Sequence, residues 1–170
     1  MSPETTNRLP STLAVVDDDQ EFSRFLCQAL IANGIQASWF GDSESLLCGE
    51  RPFDFDFYIL DLMLPGIDGL SLLRLLRKRS SAGVLVVSGK LASDVFDQVI
   101  NAGADMHLAK PVSVEQIRLA IAGVYRRSSA AQGGSPAWRL DDGDMNLIFA
   151  GLPASGSATH SATAAALAAH

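Results

Sequence analysis

Four places in this 170-residue chain hold side chains able to do chemistry: Asp17-Asp18-Asp19, Asp61, Ser88 and Lys110-Pro111. Each directly follows a short apolar run: Leu13–Val16, Phe57–Leu60, Val84–Val87 and Met106–Ala109. Brought to one edge, the acids would repel one another and could not comfortably stay ionised without a cation. Oxygen donors with no His or Cys beside them favour a hard ion such as Mg²⁺, held by one or two carboxylates with positions left for water or phosphate. A carboxylate beside such an ion can act as a nucleophile toward a phosphoryl group and form an acyl phosphate. Lysine then supplies a compact positive charge, and the Ser88 hydroxyl can donate to a phosphoryl oxygen.

Convergence of these residues depends on the elements that carry them. From residue 11 to residue 127 the pattern alternates strand and helix five times. The first strand is Leu13–Val16, and Asp19 is placed to cap the helix after it. That helix shows apolar residues Phe22, Phe25, Leu26, Ala29 and Leu30 at helical spacing, and Gly34 ends it. Ile35–Phe40 predicts a second strand and 43–49 a short helix. Phe57–Leu60 is the third strand, followed by a Pro65-Gly66 loop and a helix over 68–79 with Leu72, Leu73, Leu75 and Leu76 inward. Val84–Val87 is the fourth strand, 93–102 a helix, Met106–Ala109 the fifth strand, and 113–126 a last helix with Val114, Ile117, Ile121 and Val124 on one face. Alternating units of this kind predict a parallel sheet with helices on both faces, and ligands then bind at the carboxyl ends of the strands.

The motifs VVDDDQEF (15–22), ILDLMLPGIDG (59–69), VVSGK (86–90) and AGADMHLAKP (102–111) stand in that order. With them the chain resembles the receiver domain of two-component response regulators, the CheY-like family, over residues 11–127. The resemblance implies a flavodoxin-like (βα)5 doubly wound sheet of strand order 2-1-3-4-5. It implies Asp61 as phospho-acceptor, taking the phosphoryl group from a sensor histidine kinase or phosphotransfer protein, with Mg²⁺ as cofactor. Asp17, Asp18, Asp61 and the backbone carbonyl of Met63 would hold the metal, and Asp17 would act more through water. Ser88 and Lys110 would contact the phosphoryl group, with a cis peptide between Lys110 and Pro111. Pro65 and Gly69 match the family's DxxxPxxxG loop. The output surface, or a homodimer contact, would be the face of strands four and five with the helix between them. Such a protein catalyses its own phosphorylation and dephosphorylation and is not a turnover enzyme in the usual sense.

The sequence departs from the family in two respects, one being the extra third acid Asp19, expected as a helix cap and not a metal ligand. Tyr or Phe often stands three residues before the lysine as a rotameric switch, and here it is His107, whose charge can vary with pH. Two other readings compete. One is a receiver-like interaction module that works without phosphorylation. The other is a haloacid-dehalogenase-like phosphatase using Asp17 of a D-x-D pair with Asp19. Glu21 departs from the residue type expected there, and Asp61 would have no role. Among the remaining residues, Asp54 and Asp56 are expected on an exposed strand face or its approach loop, and Arg77, Lys78 and Arg79 on a solvated last helical turn. Lys90 is expected to be solvated surface.

Composition excludes several classes. Hydrophobic residues make up 48% and charged residues 19%, which suits a folded domain. Acidic residues outnumber basic ones by 19 to 13, for a net charge of −6, so no general attraction to nucleic acid or anionic membrane is expected. No basic-then-apolar start reads as a signal peptide and no run approaches a membrane span, so a cytoplasmic location is expected. Cys27 and Cys48 are too few and too far apart for a disulfide framework or zinc site, and both are expected as small buried hydrophobes. Residues 128–136 read as a linker, and 137–170 as an incomplete effector-like segment or disordered tail. Trp138–Phe149 weakly resembles the opening strands of the winged-helix effector found in one response-regulator subfamily. The 43 residues after Arg127 are too few for that whole effector. Only Arg139 among them is basic apart from two histidines, so DNA binding by this chain alone is not expected.

Overall fold

The apolar runs become strands because their side chains are covered on both faces, which leaves no need for polar alternation. In the computed structural model, which describes residues 8–130, 141–142 and 147–149, every residue of β3 (Phe57–Leu60), β4 (Gly83–Ser88) and β5 (Met106–Ala109) is buried. So are four of the five residues of β1 (Thr12–Val16). β2 (Gln36–Phe40) is less covered, as suits a strand at the sheet edge. Five helices connect and follow them: α1 (Gln20–Ala32), α2 (Ser43–Leu47), α3 (Gly69–Arg79), α4 (Ser93–Asn101) and α5 (Val114–Ala130).

The five strands are parallel in the order β2-β1-β3-β4-β5. A short strand β7 (Leu147–Phe149) adds antiparallel to β5, and β6 (Asp141–Asp142) pairs with β7. Two apolar clusters sandwich the parallel sheet. One joins Leu13, Val15, Phe57, Ile59, Leu85 and Val87 to α1 and α5. The other joins Ala14, Val16, Tyr58, Leu60, Val84 and Val86 to α2, α3 and α4. Chain order reverses between β1 and β3, which is where an open parallel sheet leaves a crevice for ligands.

Caps set the helix starts. Asp19 accepts from Phe22 N, Asp42 from Ser45 N and Asp68 from Ser71 N. Ser113 and Gln116 form a reciprocal capping box at the head of α5. Asn33 caps the end of α1 and Gly34 follows at φ +84, the left-handed position that glycine adopts without strain.

Several expectations need correction. Phe25 is 63% exposed, because the buried stripe of α1 is Ser23, Leu26, Cys27 and Leu30, one residue around the helix from the expected face. Leu75 is only half-buried. Cys48 is exposed, since α2 ends at Leu47 and the chain turns outward there. Arg77 is tied down: it bonds the carbonyls of Gly103 and Ala82 and pairs with Asp105 at 2.6 Å. Asp56 is half-buried and its Oδ2 accepts from both Ser11 N and Thr12 N, fastening the start of β1. α5 continues through Ala130, so residues 128–130 form its last turn. The rest of the expected linker, 131–136, lies outside the described residues. Of 137–170, only the backbone of β6 and β7 lies within them.

Candidate functional site

Register brings the acids together. Val16 stands opposite Leu60 in the β1–β3 pair, so Asp17 and Asp61 leave adjacent strands at the same height. Leu60 stands opposite Val86, and Ser88 opposite Ala109, which puts Ser88 and Lys110 on the same edge. Lys110 donates to Asp17 Oδ2 at 2.8 Å and to Asp61 Oδ2 at 3.0 Å. The other oxygens are oriented by backbone: Asp17 Oδ1 accepts from Asp19 N and Asp61 Oδ1 from Met63 N. Asp17 is 2% exposed and Asp61 6%, whereas Asp18 is open to solvent. The three carboxylates each place an oxygen within 4.8 Å of the others. An all-oxygen set of this size, with one member facing water, fits a hard divalent cation. Asp19 is turned away into its capping bond.

Burial dominates at Asp17 and raises its pKa above the ordinary carboxylate value, although Lys110 and the Asp19 amide oppose the shift. Burial works against the charge of Lys110 as well, but its bonds to Asp17 and Asp61 outweigh it and hold the ammonium above its usual pKa. The ammonium of Lys110 also lies over the Phe22 ring, 5.1 Å from the nitrogen to the centroid.

The loop after Asp61 is held from two sides. Gly69 N donates to Leu62 O, and a Cβ on Gly69 would run into the carbonyl oxygen of Asp61 and stand 2.7 Å from Leu62 Cα. Only glycine allows the head of α3 to come this close beneath Asp61. On the other side, Ser43 Oγ donates to Ile67 O at 2.7 Å and Glu44 Oε1 accepts from Ile67 N at 3.0 Å. Gly66, at φ +73, lies directly beneath the Glu44 carboxylate. Ser43 and Glu44 are functional-loop residues that sequence reasoning missed. Their only local signal was the Asp42 cap placing them in the first turn of α2.

Ser88 is fully buried at the end of β4. Its Oγ lies 3.2 Å from His107 Nε2 and also donates to the adjacent Gly89 carbonyl at 3.2 Å. His107 is 4% exposed, packs edge-on against Phe96 of α4, and is pushed down by burial to a pKa of about 4. Lys110-Pro111 is cis. Lys90 is exposed.

Residues 13–122 match the model of the response regulator receiver domain. The chain belongs to the receiver-domain family of response regulators. It is 30% identical over 119 residues to the response regulator ArlR of Staphylococcus epidermidis, covering 69% of this chain and 53% of that protein. The chain thus spans about half the length of the curated relatives it matches. A Francisella response regulator receiver domain superposes with a TM-score of 0.63 at 27% identity, over 69% of this chain and 98% of that one. A Burkholderia pseudomallei response regulator, described as carrying a phosphorylated aspartic acid, a calcium ion and citrate, superposes with a TM-score of 0.60 at 28% identity, over 75% and 77%.

Family membership overturns the phosphatase reading. The geometry agrees, since Asp19, the second acid of the supposed pair, is turned away to cap a helix in this receiver. Among the described residues, no helix is long and apolar enough to cross a membrane.

Proposed function

We propose that this receiver takes a phosphoryl group onto Asp61 from a phosphohistidine on a sensor kinase or phosphotransfer protein, with Mg²⁺ bound. The observation that carries the reading is Lys110 reaching both Asp17 and Asp61 while Asp18 completes the carboxylate cluster. Asp17, Asp18, Asp61 and the backbone carbonyl of Met63 are the residues that would hold the metal. When bound, the ion would neutralise charge on the transferring group.

In the transfer, an Asp61 carboxylate oxygen forms the new O–P bond as the donor's N–P bond breaks. The imidazole leaves with that electron pair and takes up a proton. Lys110 offsets the negative charge that arrives, and Ser88 donates its hydroxyl hydrogen to a phosphoryl oxygen. Positioning and charge neutralisation account for most of the acceleration in such transfers. The product is an acyl phosphate whose demand for Ser88 and Lys110 biases β4, α4 and β5, a shift available to a partner or a second copy on that face. The Burkholderia relative's phosphorylated aspartate supports the same chemistry here. A cytoplasmic setting goes with this reading, and the chain alone is not expected to bind DNA.

Incubation with a small phosphodonor and Mg²⁺, followed by intact mass, tests the proposal. One phosphoryl adduct is expected, absent without the metal and absent in Asp61→Asn. An adduct that survives Asp61→Asn sinks the assignment. No adduct in the unaltered chain, with no metal-dependent binding of fluoroberyllate, would establish the phosphorylation-independent module instead.

A further inference from the structure

The contacts of Ser88 raise a counting problem. A hydroxyl has one hydrogen and two lone pairs, yet Ser88 Oγ stands 3.2 Å from two groups, the Gly89 carbonyl and His107 Nε2. The carbonyl can only accept. If Nε2 also accepts, one of the two contacts sets lone pair against lone pair. Both become favourable in one arrangement alone: the hydroxyl hydrogen points to Gly89 O, and His107 carries its proton on Nε2 and donates it to Oγ. Ser88 and His107 are both buried, so an unmade bond here would carry the desolvation cost of a buried polar group.

We infer that His107 is a positioning residue for Asp61 phosphorylation: its Nε2–H holds the Ser88 oxygen while the serine hydrogen passes from Gly89 to a phosphoryl oxygen. This rests on the proposed phosphorylation of Asp61. The bond does not need to break when the phosphoryl group arrives, because Ser88 accepts through one lone pair while its hydrogen turns. His107 therefore stays inward, wedged between Ser88 and the Phe96 ring, with ring centroids 6.2 Å apart. Its backbone supports this, lying between Val86 of β4 and Ile148 of β7 in the sheet. A ring that swings to the surface, as the family resemblance suggested, would abandon the donor that orients Ser88.

Two measurements test it. In the ¹⁵N-histidine-labelled chain, two-bond ¹H–¹⁵N correlations report the tautomer of His107. Nε2–H is expected, and it is expected to persist with Mg²⁺ and fluoroberyllate; an Nδ1–H tautomer, or a ring that becomes solvent-exchanging on activation, overturns the inference. The second is a double-mutant cycle on the rate of adduct formation with a small phosphodonor. His107→Phe keeps a ring against Phe96 without the donor and should slow the reaction several-fold, while His107→Gln, which retains an N–H, should recover part of the rate. In a Ser88→Ala background, His107→Phe should have no further effect. If it slows Ser88→Ala by the same factor as the unaltered chain, its role is packing alone and the inference fails. An unaltered chain that takes no phosphoryl group would instead overturn the reading beneath it, and the tautomer measurement would still separate the two failures.

Discussion

Lys110 donates to Asp17 at 2.8 Å, joining residues 93 positions apart in the chain. The bond does not fully compensate the carboxylate, whose pKa remains raised by burial. Sign follows from proton linkage: between the ordinary value of 3.8 and the raised one, the folded state binds the extra proton, so stability falls as pH rises through that window. At neutral pH the ionised Asp17 is therefore a net cost when no cation is present. Asp17→Asn, which keeps the acceptor for Asp19 N, should raise Tm by a few degrees in chelator. The same substitution should remove most of the stabilisation that added Mg²⁺ gives the unaltered protein. Thermal melts with and without the ion measure both.

Gly69 supplies a prediction of the opposite sign. A methyl group at this position meets backbone, the Asp61 carbonyl and Leu62 Cα, and backbone cannot rotate away as a side chain can. Gly69→Ala should cost about 1–3 kcal/mol in urea unfolding, the range of an overpacked site. Because one of the displaced atoms is the backbone carbonyl oxygen of Asp61, the proposed phospho-acceptor, adduct formation should slow as well. Loss of stability with an unchanged phosphorylation rate would show that the contact is structural only.

The clamp from α2 can be separated from the acid cluster. Ser43 is buried and gives its hydroxyl to Ile67 O, while Glu44 takes the amide of the same residue. Ser43→Ala leaves a carbonyl without that donor and should cost about 1 kcal/mol. Glu44→Ala, on an exposed residue, should cost less stability yet loosen the loop between Asp61 and α3. Hydrogen exchange at the Ile67 amide should rise in Glu44→Ala, with Mg²⁺ affinity little changed. An unchanged exchange rate would show that the loop is held without the clamp.

Much of this was legible in the sequence because the parallel sheet writes itself as buried apolar runs. Phe57–Leu60 and Met106–Ala109 are strands at the expected residues, and Asp17, Asp61 and Lys110 meet, with Ser88 at the same sheet edge, because each follows such a run. Phe25 was misplaced because apolar periodicity cannot tell a covering stripe from a neighbouring exposed residue; Ser23 and Cys27 took the inward positions. Arg77 looked like a solvated end of α3, since nothing local says that Gly103 and Asp105, from the far side of α4, will fold back onto it. Ser43 and Glu44 failed to stand out for the same reason: their partner Ile67 lies beyond a strand. The Ser88–His107 bond depends on rotamers inside the sheet, and no spacing rule reports those.

His107 gives the clearest pH signature. Burial holds the folded imidazole at a pKa of about 4, against an ordinary value of 6.5. Below 6.5 the unfolded chain gains a proton that the folded chain refuses, so stability present above pH 6.5 is lost progressively as pH falls toward about 4. The full depression corresponds to about 3 kcal/mol at 1.36 kcal/mol per pKa unit. Carboxylates contribute their own slope in the lower part of this window, so the diagnostic quantity is the difference between two proteins. His107→Phe should flatten the urea-unfolding free energy between pH 6.5 and 5 relative to the unaltered chain, where few carboxylates titrate. The remaining histidines, His160 and His170, are present in both proteins and cancel. Equal slopes in the two proteins would mean that His107 is as easily protonated folded as unfolded, which its place between Ser88 and Phe96 does not allow.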